Sequence, residues 1–164
     1  MTGTETVAGT VAEEPAAEES AAEESAAEET VVEAGVTPTV WAGLMLDCPD
    51  ARELATFYGE LTGWGVGGAD DEGAWAYLTP PGTTLTFGFQ RVADYRPPRW
   101  PDQEVPQQFH LDFRVADLPA AIRRAEELGA TQAEFQPGGE RWRVLLDPAG
   151  HPFCLCPPAP HRQG

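Results

Sequence analysis

Apolar positions follow the same succession of spacings in two stretches of the chain. In each stretch a predicted strand, over residues 40–47 and again over residues 107–115, leads into a predicted helix. One face of the first helix carries four apolar residues at i, i+3, i+4 and i+7: Leu54, Phe57, Tyr58 and Leu61. One face of the second helix carries a similar set: Leu118, Ala121, Ile122, Ala125 and Leu128. These spacings are typical of amphipathic helices that pack on a sheet.

Residues with capping chemistry stand at both ends of each predicted helix. Asp50 and Asp117 are placed to accept hydrogen bonds from the exposed amides of the first turn. Glu53 completes a capping box in the first helix. Gly63 and Gly129 follow the helices as C-terminal caps.

The two stretches are interpreted as copies of one unit. Asp50 follows Gly43 by seven residues, and Asp117 follows His110 by the same number. The match makes Gly43 the counterpart of His110, so the first copy lacks a side chain where the second has an imidazole.

Further strands are predicted after each helix, from runs of strand-forming residues bounded by turn residues. In the first copy they cover residues 74–78 and 83–90, and in the second residues 132–136, 141–146 and 153–156. The second copy is therefore a βαβββ unit. The first is expected to be the same, with one strand that the pattern does not place.

Alternation along the strand at residues 109–115 separates two faces. The apolar set is expected to cover the helix: Phe109, Leu111, Phe113 and Val115. His110, Asp112 and Arg114 then point to the opposite face. If two such sheets curl toward one another, this second face lines a cavity.

Charge divides the chain into a tail and a domain. Residues 1–37 contain ten glutamates and no basic residue, and like charges recur there at i,i+4. This segment is predicted to be a disordered, solvating tail, with an arm that binds a basic partner as the alternative. The domain is predicted over residues 38–157, with modules at about 38–92 and 107–157 and a short C-terminal tail at 158–164.

The composition also limits partners and compartment. The formal net charge of −17 opposes binding to phosphate, so nucleic acid is not an expected partner. An export signal is not recognisable, and no apolar run approaches the roughly 20 residues that cross a bilayer. Cys48, Cys154 and Cys156 are too few and too irregularly placed for a disulfide framework. A cytoplasmic protein with reduced thiols and no membrane partner is expected.

Several short segments resemble one protein superfamily. They include Phe-Tyr at 57–58 with Leu-Thr-Gly-Trp at 61–64, Pro-Arg-Trp-Pro at 98–101, Gln-Phe-His-Leu-Asp at 108–112 and Asp-Pro-Ala-Gly-His-Pro-Phe-Cys-Leu at 147–155. Together with the paired βαβββ units, these segments resemble the vicinal oxygen chelate superfamily, which includes glyoxalase I, extradiol dioxygenases and bleomycin-resistance proteins. The narrower resemblance is to the glyoxalase-like domain branch common in actinobacteria.

The resemblance covers residues 38–157 and implies an α+β fold. In that fold, two βαβββ modules form a cupped eight-stranded mixed sheet, with the helices outside and a cavity inside. It also implies a homodimer as the expected assembly.

The resemblance further implies where a metal would be held. Metal-dependent members bind one divalent ion through His, Glu or Gln side chains on the first and last strands of each module. The matching positions here are Gly43, His110 and Cys154, with Gln90 as the remaining candidate in module one. One ligand of the usual type does not hold a catalytic metal, so no cofactor is expected. The alternative is a zinc-like set of His110, Asp112 and Cys154.

Large aromatic residues on or beside the predicted strands favour a pocket for a planar small molecule. The candidates for ligand binding are Trp41, Trp75, Phe87, Trp100 and Trp142, together with Arg114 and Cys154. For Trp75 and Trp142 the alternative is core packing. Trp100, between prolines in a polar loop, is expected to be a lid over the pocket or a plug between the modules.

His110 and Asp112 are the candidate catalytic pair, because residues i and i+2 of a strand share a face and a carboxylate can orient an imidazole. The alternative is a structural histidine. The expected function is therefore metal-independent sequestration or conversion of a small, partly planar organic ligand. Two alternatives are a metal-dependent lyase, isomerase or dioxygenase, and an adaptor that recruits a basic partner through its acidic tail.

Overall fold

The structure, a computed structural model, describes residues 40–158 of the 164-residue chain. The predicted acidic tail and nearly all of the predicted C-terminal tail lie outside the described residues. Among the helices of the described part, none is long and apolar enough to cross a membrane.

Module one contains one helix and four strands in the order βαβββ. Its elements are β1 (Gly43–Cys48), α1 (Ala51–Thr62), β2 (Gly65–Ala69), β3 (Trp75–Thr79) and β4 (Thr86–Arg91). The sheet order is β1-β4-β3-β2, with β1 parallel to β4 and the other pairs antiparallel.

Module two repeats this order and connectivity. Its elements are β5 (Leu111–Arg114), α2 (Leu118–Glu127), β6 (Thr131–Gln132), β7 (Arg143–Leu146) and β8 (Pro152–Cys156). The sheet order is β5-β8-β7-β6, again with one parallel pair, β5 with β8. The predicted α+β fold of two βαβββ modules is confirmed, as two four-stranded mixed sheets with two helices.

The two aspartate N-caps and the glycine cap of α1 form as their sequences predict, whereas α2 is capped by Leu128, with Gly129 following it. Asp50 Oδ1 accepts from the Glu53 amide at 2.9 Å, and Asp117 Oδ1 accepts from the Ala120 amide at 2.9 Å. Gly63 closes α1 with φ of 75°, a conformation that glycine adopts without the steric cost of a Cβ atom.

Three strand predictions need correction. The unplaced strand is β2, whose sequence Gly-Val-Gly-Gly-Ala has no alternating pattern to reveal it. β6 covers only Thr131–Gln132, whereas residues 132–136 were expected. Beyond Ala133 the backbone pairing with β7 is replaced by the Gln136 side chain, which bonds both the N–H and the carbonyl oxygen of Val144. β5 begins at Leu111, so His110 lies just before the strand rather than inside it.

Both modules share one hydrophobic core on the helix side of their sheets. Tyr58 of α1 is fully buried at its centre, with its ring 5.6 Å from Phe89 in module one and 6.1 Å from Phe153 in module two. Phe57 packs edge-on against Phe153 at 5.9 Å. The first helix therefore belongs to the packing of both sheets.

A polar network in the β7–β8 turn reinforces this junction. The buried Asp147 carboxylate accepts from the Tyr58 hydroxyl at 2.8 Å and from the amides of Ala149 and His151, each at 2.9 Å. Burial raises the pKa of Asp147, although these hydrogen bonds and the charge of His151 act against it. The His151 ring contacts the Asp47 carbonyl oxygen at 2.7 Å. His151 thus joins the β7–β8 turn of module two to β1 of module one.

Candidate functional site

Side chains of the second sheet separate cleanly between its two faces. Phe153 and Leu155 of β8 enter the shared core, whereas Cys154 and Cys156 lie on the face without a helix. Val144 of β7 lies there too. The alternation predicted for the strand that contains Asp112 holds from Leu111 onward, because Leu111 and Phe113 pack against the core while Asp112 and Arg114 are exposed. Phe109 was expected on the core face as well, but it lies before β5 and is 40% exposed.

A cavity of about 400 Å³ lies on this helix-free face, and we call it the tryptophan cavity. It is lined by Trp100, Gln107, His110, Asp112, Pro137, Trp142, Val144, Pro152, Cys154 and Cys156. The volume falls within the range of about 300–1,000 Å³ that is typical of small-molecule sites.

Two tryptophans form walls of the cavity, and contacts with neighbouring residues fix their positions. The Trp100 indole N–H donates to the Phe135 carbonyl oxygen at 3.2 Å. Trp142 lies over Gly138, where a Cβ atom would stand 2.4 Å from the indole ring. The Arg141 guanidinium lies 4.7 Å from the centroid of the same ring. Trp100 is therefore a wall of the cavity on the second sheet rather than a plug between the modules.

A histidine, an aspartate and a cysteine meet in this cavity, with one potential ligand atom of each within 4.8 Å of the others. Asp112 and Cys154 are register partners on neighbouring strands. His110 Nε2 lies 3.7 Å from Asp112 Oδ1, too far for a hydrogen bond, and both side chains are largely exposed. The predicted pair therefore shares a face, but in this geometry the carboxylate does not fix the imidazole.

The two thiols of the cavity are held in their protonated form. Burial, followed by the hydrogen bond and negative charge of Asp112, raises the pKa of Cys154 to about 12. Burial also raises the pKa of Cys156; Asp112 adds to this rise, and Arg114 opposes it more weakly. Since the thiolate is the nucleophile, neither cysteine is suited to covalent chemistry at neutral pH.

The structure does not bring every predicted ligand-binding residue to this cavity. Phe87 is only 5% exposed and packs in the shared core against Tyr58 and Trp64. Trp41 is exposed and lines a separate apolar cavity beside Gly43. Trp75 is 45% exposed and stacks on Tyr77, on the helix-free face of the first sheet. Arg114 lines a neighbouring cavity of about 520 Å³.

Some cavity residues were not predicted from the sequence. Gln107 was predicted inside a strand but lies in the connection between β4 and β5, and its Oε1 is buried without a hydrogen-bond partner among the described residues. Pro137 comes from the loop before β7. The glycine pair at 138–139 was the sequence feature that could have indicated this loop, because a residue without a side chain lets a nearby tryptophan ring lie against the backbone.

Strand register identifies the positions in module one that match the donors of module two. Met45 pairs with Gly88 as Asp112 pairs with Cys154, so Gly88 is the counterpart of Cys154. Gln90, the sequence-based candidate for the metal-ligand position on this strand, lies two residues beyond that position. It pairs with Asp47, and its amide donates to the Asp47 carboxylate at 2.7 Å.

Both matching positions in module one are closed to a metal ligand. A Cβ atom at Gly43 would lie 2.1 Å from the Thr86 carbonyl oxygen. A Cβ atom at Gly88 would lie 2.6 Å from the Met45 sulfur. Residues 40–158 therefore do not supply the four-ligand set, two donors from each module, that the superfamily resemblance implies.

Comparison with known proteins identifies the family. A family profile described as a glyoxalase-like domain matches residues 43–156. The chain therefore belongs to the glyoxalase-like domain family of the vicinal oxygen chelate superfamily, as the sequence motifs predicted. Among curated proteins, none matches the chain.

Solved structures with similar folds have names from the same superfamily. A glyoxalase-related enzyme from Fulvimarina pelagi is 17% identical, with 74% of this chain and 89% of that chain covered and a TM-score of 0.54. A glyoxalase/bleomycin resistance protein/dioxygenase family enzyme from Burkholderia phytofirmans PsJN is 15% identical, with 71% and 96% covered and a TM-score of 0.52. The fosfomycin resistance protein FosX from Mesorhizobium loti is 12% identical, with 74% and 91% covered and a TM-score of 0.51. At these identities the similarity establishes the fold.

Proposed function

We propose that this glyoxalase-like protein binds a small, partly planar organic molecule in the tryptophan cavity without a resident metal ion. The observation that carries the proposal is the cavity itself: about 400 Å³, with Trp100 and Trp142 as walls and polar groups on the sheet between them. Flat aromatic walls with a few convergent polar groups are suited to a planar ligand.

The polar groups support binding more directly than catalysis. His110 and Asp112 are not hydrogen-bonded to each other, and Cys154 and Cys156 are protonated. An exposed imidazole on the cavity wall is nevertheless positioned to exchange a proton with a bound ligand. Sequestration is therefore the primary proposal, and acid–base conversion by His110 is an extension of it.

A screen of planar aromatic and heteroaromatic compounds by ligand-observed NMR, followed by calorimetric titration, tests the proposal. Trp142→Ala and Trp100→Ala should each weaken binding by about tenfold or more, because each removes one aromatic wall and stacking on such a wall is worth about 1–3 kcal/mol. Trp75→Ala is the matched control and should leave affinity unchanged. If all three variants bind as the wild type does, the ligand lies elsewhere and the proposal is wrong.

A metal-dependent activity is the second candidate, favoured by the 4.8 Å grouping of His110, Asp112 and Cys154. Zinc accepts such mixed donors, although a structural zinc site takes four protein ligands. Elemental mass spectrometry of the natively purified protein, with zinc titration of wild type and His110→Ala, separates the two candidates. One ion per chain, lost in His110→Ala, would replace the metal-free proposal.

A further inference from the structure

We propose that the ligand of the tryptophan cavity is a planar cation that donates hydrogen bonds, such as an aromatic amidinium or a protonated aminoheterocycle. The inference rests on the proposed function and narrows it from planar molecules in general to one charge class. The charge, the hydrogen-bonding capacity and the aromatic walls of the cavity each support it.

The charges of the cavity favour a cation. Its lining contains one carboxylate, Asp112, and no arginine. Two arginines lie nearby: Arg141 against the Trp142 ring, and Arg114, the register partner of Cys156. Neither arginine is part of the lining, so the Asp112 carboxylate is the one side chain there that carries a charge when His110 is neutral. An anionic ligand would be repelled there, and a cation attracted.

The Asp112 carboxylate is the group of the cavity lining that only accepts hydrogen bonds. Gln107 and neutral His110 each offer donors as well as an acceptor, and the two thiols are weak donors. The Trp100 indole N–H is already used by the Phe135 carbonyl oxygen. A ligand with N–H groups therefore complements Asp112, whereas oxygen acceptors on a ligand would face this carboxylate unfavourably.

The aromatic walls favour a delocalised positive charge. A cation within about 6 Å of an indole centroid is attracted by the ring quadrupole, and tryptophan is the strongest partner for this contact. The Arg141 guanidinium, 4.7 Å from the Trp142 centroid, is an example at the edge of this cavity. A planar amidinium combines this attraction with N–H groups that the exposed Asp112 carboxylate can accept.

Three probes that share one ring system and differ in charge test the inference. Calorimetric titration of the full-length protein with 2-naphthamidine, 2-naphthamide and 2-naphthoate at pH 7.5 should give affinities in that order, with naphthamidine at least about tenfold tighter than naphthoate. Asp112→Asn should reduce the amidine-over-amide preference by about tenfold, because it removes the charge and keeps the shape. Glu140→Gln, an exposed carboxylate outside the cavity lining, is the matched control and should leave the preference unchanged.

The outcomes separate this inference from the proposed function. Equal affinities, or tighter binding of naphthoate, would overturn the inference while leaving a planar-ligand cavity in place. A preference for naphthamidine that survives Asp112→Asn, or that Glu140→Gln removes equally, would also overturn it, because the charge would then act from outside the cavity. If none of the three probes binds, the inference is wrong, and if the wider planar screen is also negative, the proposed function is wrong with it. Circular dichroism of Asp112→Asn establishes that the variant is folded.

Discussion

The two modules have the same topology and differ on the face that has no helix. In module two, this face holds the tryptophan cavity with His110, Asp112 and Cys154. In module one, glycine stands at the positions equivalent to His110 and Cys154. The module-one face is closed by its own side chains, since the Met45 side chain lies over Gly88 and the Tyr77 ring lies against Gly67 and Gly68.

The difference shows how a duplicated unit can divide structural and functional roles. Both sheets keep their core-facing residues, because these residues pack in the core that the modules share. The helix-free faces are not constrained in this way and have diverged by the size of a few side chains. Glycine at two positions leaves the helix-free face of module one without the His and Cys donors of module two, while the topology is the same.

The largest loss of stability is expected from Gly43→Ala, which tests the close approach of the β1 and β4 backbones in module one. The added methyl group would overlap the Thr86 carbonyl oxygen, and β1 and β4 would have to separate. Unfolding in urea should show a loss of about 3 kcal/mol, at the upper end of the cost of overpacking.

Gly88→Ala is the informative partner of that variant. Its nearest atoms are the flexible end of Met45, which can move, so a loss below about 1 kcal/mol is expected. Equal losses for the two variants would show that the Thr86 backbone at Gly43 restricts a side chain no more than the Met45 side chain does at Gly88.

A smaller effect is expected from Tyr58→Phe, which tests the connection between the modules rather than their difference. The variant keeps the ring in the core and removes the donor to the buried Asp147 carboxylate. The unfolding free energy should fall by about 1–2 kcal/mol, the cost of an unsatisfied buried acceptor. Tyr77→Phe is the control on the exposed face of module one, and a loss as large as that of Tyr58→Phe would contradict the assignment.

The pH dependence of stability should show the raised pKa of Asp147. A carboxyl whose pKa is higher in the folded state than in the unfolded state favours folding when it is protonated. The contribution of Asp147 to the free energy of unfolding therefore decreases as the pH rises from the ordinary aspartate pKa through the raised pKa of the folded state. The stability of the wild type relative to Asp147→Asn should increase as the pH falls from 7 toward 4. Urea unfolding at several pH values measures this difference, and the opposite slope would show that the hydrogen bonds outweigh burial.

The smallest stability effect is expected from Trp75→Ala on the helix-free face of module one. The side chain is nearly half exposed, and its main described partner is the Tyr77 ring at 5.9 Å. A loss of about 1 kcal/mol or less is expected from the thermal unfolding curve. A much larger loss would mean that Trp75 is covered, and that the two helix-free faces are more alike than the structure shows.

The parts of the fold that follow from local chemistry were predictable from the sequence. The aspartate caps, the glycine after α1 and the apolar stripes of both helices are formed as expected. The strand β2 was not predictable, because a glycine-rich strand has neither alternation nor strand propensity. Its glycines are required by a contact across the sheet, with Tyr77, that no local pattern contains.

The candidate site was predictable in part for a similar reason. Alternation along one strand correctly placed Asp112 on the face that bears the cavity. The remaining lining residues come from other strands and from loops, which the pattern of one strand does not reveal. Phe87 was predicted to bind the ligand, because the sequence pattern around an aromatic residue is the same whether its side chain fills a core or lines a pocket. The roles proposed for His110 and Asp112 remain predictions for the experiments above.

The hydrogen bond from Tyr58 to Asp147 joins residues 89 positions apart in the chain. Asp147 Oδ1 is bonded within its own β7–β8 turn, but Oδ2 accepts from Tyr58, so the buried carboxylate keeps all its described partners only when α1 of module one is in place. Despite their duplication, the modules should unfold together in a single cooperative transition. Either module expressed alone would expose half of the common core and leave one partner of this bond unpaired.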